Sequence, residues 1–101
     1  MAEHGTYIYT NRLIDPGKFG KFTPEEKQVM SDHFAYLKQA LTLGQLILAG
    51  PCVDATFGIV IYRANSMAEA RLFMERDPAI ERGLMTADLH EYRIALLEGR
   101  D

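Results

Sequence analysis

Apolar and polar positions alternate or recur along this chain with two distinct periods. Residues 6–14 are rich in Tyr, Ile and Thr, with Tyr7 and Tyr9 set against Ile8, and they predict a first strand ended by Asp15-Pro16-Gly17. Thr23-Pro24-Glu25-Glu26 is a helix start: threonine caps, proline suits the first helical position, and Glu26 closes a capping box. The helix it opens runs to about Leu43, with Gly44 as its stop. Its inward stripe is Val29, Met30, His33, Phe34, Leu37, Ala40 and Leu41, at three- and four-residue spacing. The run at residues 45–49 predicts a second strand that stops at Gly50-Pro51, and residues 58–63 predict a third. The short connection between them favours an antiparallel hairpin.

Ser66-Met67-Ala68-Glu69 is a second capping box, opening a helix through Ala70, Phe73 and Met74. Asp77-Pro78 breaks that helix, and Asp77 caps a further turn over residues 79–82 that Gly83 ends. Strand alternation returns over residues 86–97, where His90, Tyr92, Ile94 and Leu96 share one side. The order is β-α-β-β-α-β. In one chain of 101 residues it predicts a single α+β domain, the ferredoxin-like sandwich with a four-stranded antiparallel sheet. Two helices cover only one face of such a sheet, yet both faces of the predicted strands are apolar. A second copy, sheet against sheet, is the simplest cover, so a homodimer is expected.

Composition narrows the function classes. The 48% hydrophobic and 25% charged content is that of a globular domain, and a chain of this size buries roughly two-thirds of its unfolded surface. Eleven Lys and Arg against fourteen Asp and Glu leave a net charge of −3, with no basic stripe, which argues against nucleic acid. No apolar run has the length of a membrane span and no signal-peptide pattern opens the chain. A lone cysteine, Cys52, fits a reducing compartment. A cytoplasmic protein without a membrane partner is the expectation.

The chemistry rests on few residues. A histidine inside a helix stripe is most often a core residue, but imidazole also takes and returns protons near neutral pH, which makes His33 the candidate acid–base group. Asp54 follows the Gly50-Pro51 stop, where it either caps a turn or holds one ring nitrogen of His33. Nothing near Cys52 in sequence would lower its pKa. His90 alternates on its strand and is expected at solvent or at an interface, and His4 carries little information. No pair of His, Asp or Cys has ligand spacing, so no metal is expected, and no glycine-rich phosphate loop predicts a nucleotide cofactor. Lys18 and Lys21, in a loop with Gly17 and Gly20, stand where an anionic ligand would be covered, although a plain surface loop is the simpler reading.

Taken in order, His33-Phe34-x-x-Leu37, the run from Gly44 to Pro51, Asp54, Gly58, Ser66-x-x-Glu69-Ala70, Asp77-Pro78 and Gly83-Leu84 resemble the YciI-like (YCII-related) family of the dimeric α/β-barrel superfamily. The resemblance covers residues 30–95 and the first strand, while the loop at residues 15–22 looks longer than the family's compact form. It implies a sheet-paired dimer whose cleft is lined by a His–Asp pair, His33 and Asp54 by position. Gly50, Pro51, Asp77 and Pro78 would then shape the pocket around the substrate. The activity it implies is cofactor-free proton transfer or elimination, of lyase or isomerase type, on a small organic acid or ring-derived metabolite. A binding or regulatory domain using the same cleft without turnover, and a structural partner working through the dimer face, remain the other readings.

Overall fold

The computed structural model describes residues 5–99, so His4 lies outside the described residues. Four strands, β1 (Gly5–Leu13), β2 (Leu46–Pro51), β3 (Gly58–Ala64) and β4 (Met85–Tyr92), form one sheet. Their order is β2-β3-β1-β4 and every pairing is antiparallel. Helices α1 (Pro24–Thr42), α2 (Met67–Glu75) and the single turn α3 (Pro78–Glu81) accompany it. This is the βαββαβ ferredoxin-like arrangement, with a 3-10 turn at Pro16–Lys18 in the β1–α1 connection.

Local chemistry sets the helix ends. The Thr23 hydroxyl accepts from the Glu26 amide and the Glu26 carboxylate accepts from the Thr23 amide, a complete capping box. Glu26 is thereby held below the usual carboxylate range, first by the Thr23 amide and then by Lys18 at 2.9 Å. Gly44, at φ +80°, closes α1: its amide reaches Leu41 and the Gln45 amide reaches Ala40, the paired bonds of a Schellman motif. At α2 only half of the expected box forms. Ser66 accepts from the Glu69 amide, while the Glu69 carboxylate takes a bond from Asn65.

Register divides the sheet into two faces. Tyr7, Tyr9 and Asn11 of β1 lie with Val60, Tyr62 and Ala64 of β3 on the helix side. The core is their packing against Leu37 and Ala40 of α1 and Ala70 and Met74 of α2. Aromatic rings fill it: Tyr62 and Phe73 centroids are 4.6 Å apart and Tyr36 stacks on Phe73 at 5.0 Å. Two phenol hydroxyls fasten the helices, Tyr62 to the Ala70 carbonyl and Tyr36 to the Phe73 carbonyl. Burial, with the nearby charge of Asp77 second, pushes the Tyr36 phenol up to about 12. The opposite face, with Ile8 and Ile61 at its centre and His90 paired across from Ile8, carries no helix among the described residues.

Three expectations change. β2 does not stop at Gly50 but continues through Pro51. It is an edge strand, where a missing N–H leaves no ladder bond broken. β4 ends at Tyr92 rather than continuing to residue 97. The α1 stripe, finally, does not all enter the core: Phe34 and Leu41 are 67% and 54% exposed. They face the open space between α1 and β2. Among the described residues, no helix is long and apolar enough to cross a membrane.

Candidate active site

A cleft of about 680 Å³ opens where α1 stands off the sheet. One wall is α1, with Met30, His33, Phe34, Leu37, Lys38 and Leu41. The other is sheet: residues 46–51 of β2, the start of β3 at Gly58, and Asn11 and Met85 beyond. A bulge at Ile47, the extra residue between Leu46 and Leu48, shifts the β2 alternation beside this cleft. The lining is apolar apart from the His33, Lys38 and Asn11 side chains.

His33 is held from below. Its Nδ1 lies 2.7 Å from Oδ1 of Asp77, a carboxylate with no exposed surface. The same carboxylate accepts from the Tyr9 hydroxyl at 2.6 Å and from the Ala79 amide at 3.0 Å. Three donors thus converge on Asp77, which answers the cost of burying it. With the Asp77 carboxylate as acceptor, Nδ1 is the donating nitrogen of this pair, and in the neutral ring Nε2 keeps the lone pair. Among the described residues Nε2 has no hydrogen-bond partner. The Tyr9 phenol is raised well above its ordinary value, by burial first and by the Asp77 charge and hydrogen bond next. It is a fixed donor rather than a proton carrier.

The position of Asp77 follows from the chain around it. Asp77-Pro78 ends α2 and begins α3, and the cap bond to Ala79 points the carboxylate inward under α1. Arg82, at the far end of α3, reaches Asp32 on α1 at 2.7 Å and braces the same junction from outside. That bond, with a second from Gln28, holds the Asp32 carboxyl below its usual range.

The structure therefore corrects the expected pairing. His33 meets Asp77, not Asp54. Asp54 lies in the exposed β2–β3 turn, where its carboxylate accepts from the Thr56 amide and, at 2.6 Å, from the Thr56 hydroxyl. Those bonds hold its carboxyl below the usual range. Ala55 at φ +64° completes the turn, so Asp54 is consumed by local geometry. Gly50 and Pro51 line the cleft. Asp77 lies beneath it, serving both as helix cap and as partner of His33, and Pro78 is not among the lining residues. Lys18 is taken by Glu26, and Arg63 donates to the Gly44 carbonyl at a separate shallow depression, so among the described residues the cation at the cleft is Lys38. Lys38, Asn11 and Tyr9 were missed as site residues. Asn11 alone left a signal, a carboxamide on the inward side of a strand otherwise occupied by Tyr7 and Tyr9. Among the described residues no three His, Cys, Asp or Glu side chains converge as metal ligands would.

Comparison with known proteins agrees with this architecture. A family model described as the YCII-related domain matches residues 8–91. No curated protein sequence matches the chain significantly. Among solved structures, it is similar to 5-chloro-2-hydroxyhydroquinone dehydrochlorinase (TftG) from Burkholderia phenoliruptrix AC1100, solved in complex with 2,5-dihydroxybenzoquinone. That match has a TM-score of 0.65 and 22% identity over 86% of this chain and 93% of the other. A protein of Bacteriodes thetaiotaomicron VPI-5482, assigned as an antibiotic biosynthesis monooxygenase, matches with a TM-score of 0.56 and 10% identity over 100% of this chain and 99% of the other. At these identities the likeness is one of fold.

Proposed function

We propose that this chain, which belongs to the family of YCII-related domains, is a small enzyme that moves a proton on a ring-derived substrate without a cofactor. The observation that carries this reading is the His33–Asp77 pair at the foot of an apolar cleft. A buried carboxylate that fixes one imidazole nitrogen leaves the other as a general base and stabilises the imidazolium once the proton is taken. His33 Nε2 then removes a proton beside a carbonyl or hydroxyl of the substrate and returns it at a neighbouring atom or to the departing group. Elimination and isomerisation share that first step. Asp77 acts through His33 and does not touch substrate.

The cleft selects the substrate by its walls. Phe34, Leu37, Leu41, Leu48 and Val60 favour a flat or aliphatic ring over a sugar or a nucleotide. Lys38 supplies one cation for a carboxylate or an acidic hydroxyl. The TftG ligand, a hydroxylated quinone, is a compound of this chemical class.

Two copies would pair through the helix-free sheet face, where Ile8 and Ile61 form an apolar centre flanked by polar groups of β4. In deuterated water, the wild-type protein should catalyse hydrogen exchange at the acidic carbon of cyclic diketones and hydroxyquinones, or release HCl from chlorinated hydroxyhydroquinones to leave the hydroxyquinone. His33→Ala should lower that rate about 10²- to 10⁴-fold. Equal rates in His33→Ala and wild type would refute the proposal.

A further inference from the structure

Asn11 is the group in this cleft that the proton chemistry leaves unexplained. It lies in the interior of β1, facing the helices, and is only 6% exposed. Asparagine is a poor strand former, and at an inward position it brings donors and acceptors that need partners. Its carboxamide makes no hydrogen bond to any described residue, although no buried polar side-chain atom there is sealed off without a partner. Both facts hold because the amide opens onto the cleft, which Asn11 lines from the sheet wall.

The residue paired across from it supports the same reading. Gly58 of β3 is the register partner of Asn11, and a Cβ at Gly58 would come within 2.6 Å of Asn11 Oδ1. The space that the Gly58 side chain would fill is the space in which the carboxamide rests. A leucine at position 11 would match its apolar neighbours and leave nothing unpaired. The carboxamide therefore has a use outside the protein's own hydrogen-bond network.

We infer that Asn11 is a substrate-binding residue that takes an oxygen substituent of the ring and so fixes which edge of it faces His33. This rests on the cleft being the substrate site. It narrows the substrate class to rings bearing a hydroxyl or carbonyl oxygen, because a purely hydrocarbon ring would leave the carboxamide unpaired on closure. A carboxamide both donates and accepts, so it serves a hydroxyl, a ketone or the enolate formed when His33 removes the proton.

Phenol and toluene, nearly equal in shape and differing in one oxygen, are the test probes, with binding followed by NMR on the folded protein. Phenol should shift the Asn11 side-chain amide signals, whereas toluene should not. Asn11→Leu should lower the ratio of phenol to toluene affinity about fivefold to tenfold, and its melting temperature should hold or rise. Asn11→Ala, which cannot overpack the sheet, should lower the ratio in the same sense. A ratio unchanged in both variants, or an Asn11 amide that neither probe moves, overturns the inference. A fall in melting temperature at constant ratio would instead make Asn11 a structural residue. Turnover plays no part here, so the proton-transfer reading fails or stands separately, on the rate of the His33 variant.

Discussion

Asp77 carries more at the residue scale than any other side chain, because one carboxylate orients His33, accepts from Tyr9 and caps α3. Asp77→Asn should therefore lower turnover about as far as loss of the base, 10²- to 10⁴-fold, since an amide turned toward the ring presents the wrong partner to Nδ1. It should also destabilise by about 1–3 kcal/mol, measured by urea unfolding, as buried donors lose their acceptor. Asp54→Asn, on an exposed turn, should change neither quantity beyond about 0.5 kcal/mol. Tyr9→Phe removes one donor from Asp77 and should cost about 1–3 kcal/mol. The folded-state pKa of Tyr9 lies above its unfolded value of 10.0. Its contribution is accordingly complete below that pH and is lost as pH rises beyond it, when the unfolded phenol ionises first. Urea unfolding between about pH 8 and about pH 11 should show a steeper alkaline loss in wild type than in Tyr9→Phe.

Two elements set the cleft at the next scale, α1 and the bulged edge strand β2. α1 keeps its place through the Thr23 capping box at one end and the Schellman turn at Gly44 at the other. Thr23→Ala should destabilise by about 1 kcal/mol, seen as a lower urea midpoint at unchanged slope. Glu26 has a lowered folded-state pKa, so the stability it lends is present above its unfolded pKa of 4.5 and fades as pH falls through the folded value. Glu26→Gln should accordingly flatten the acid limb of the stability profile. Phe34 and Leu41 show why an amphipathic stripe is not a burial map. Helical spacing says which residues share a face, but the wall opposite Ala40 is the packed core, and opposite Phe34 and Leu41 it is a cleft.

For the whole molecule, the helix-free face of the sheet is the feature a single copy leaves unused. If two copies close it, sedimentation should give a dimer whose population grows with concentration. Ile8→Lys, placing a charge at the centre of that face on a side chain the single copy leaves partly exposed, should shift it to monomer. A monomer at all accessible concentrations in wild type would refute the pairing.

The element order, the helix starts at Thr23 and Ser66, the stops at Gly44 and Gly83 and the β2–β3 hairpin were legible in the chain alone. Each is written in neighbouring residues through caps, turn-forming glycines and periodicity, which act over one or two turns of chain. His33 was legible as a candidate for the same reason, a polar ring on an apolar stripe. Its partner was not. Asp54 and Asp77 each follow or precede a proline or glycine break, and the local pattern does not say which one ends beneath α1. Forty-four positions separate His33 from Asp77 and sixty-eight separate Tyr9 from it. Only the crossing of α1 over the sheet, with α3 turned in under it, brings the three together. The sequence by itself determined the pieces and the kind of chemistry they offer. Tertiary structure alone decided which carboxylate holds the histidine and where the cleft opens, because both depend on contacts between elements distant in the chain.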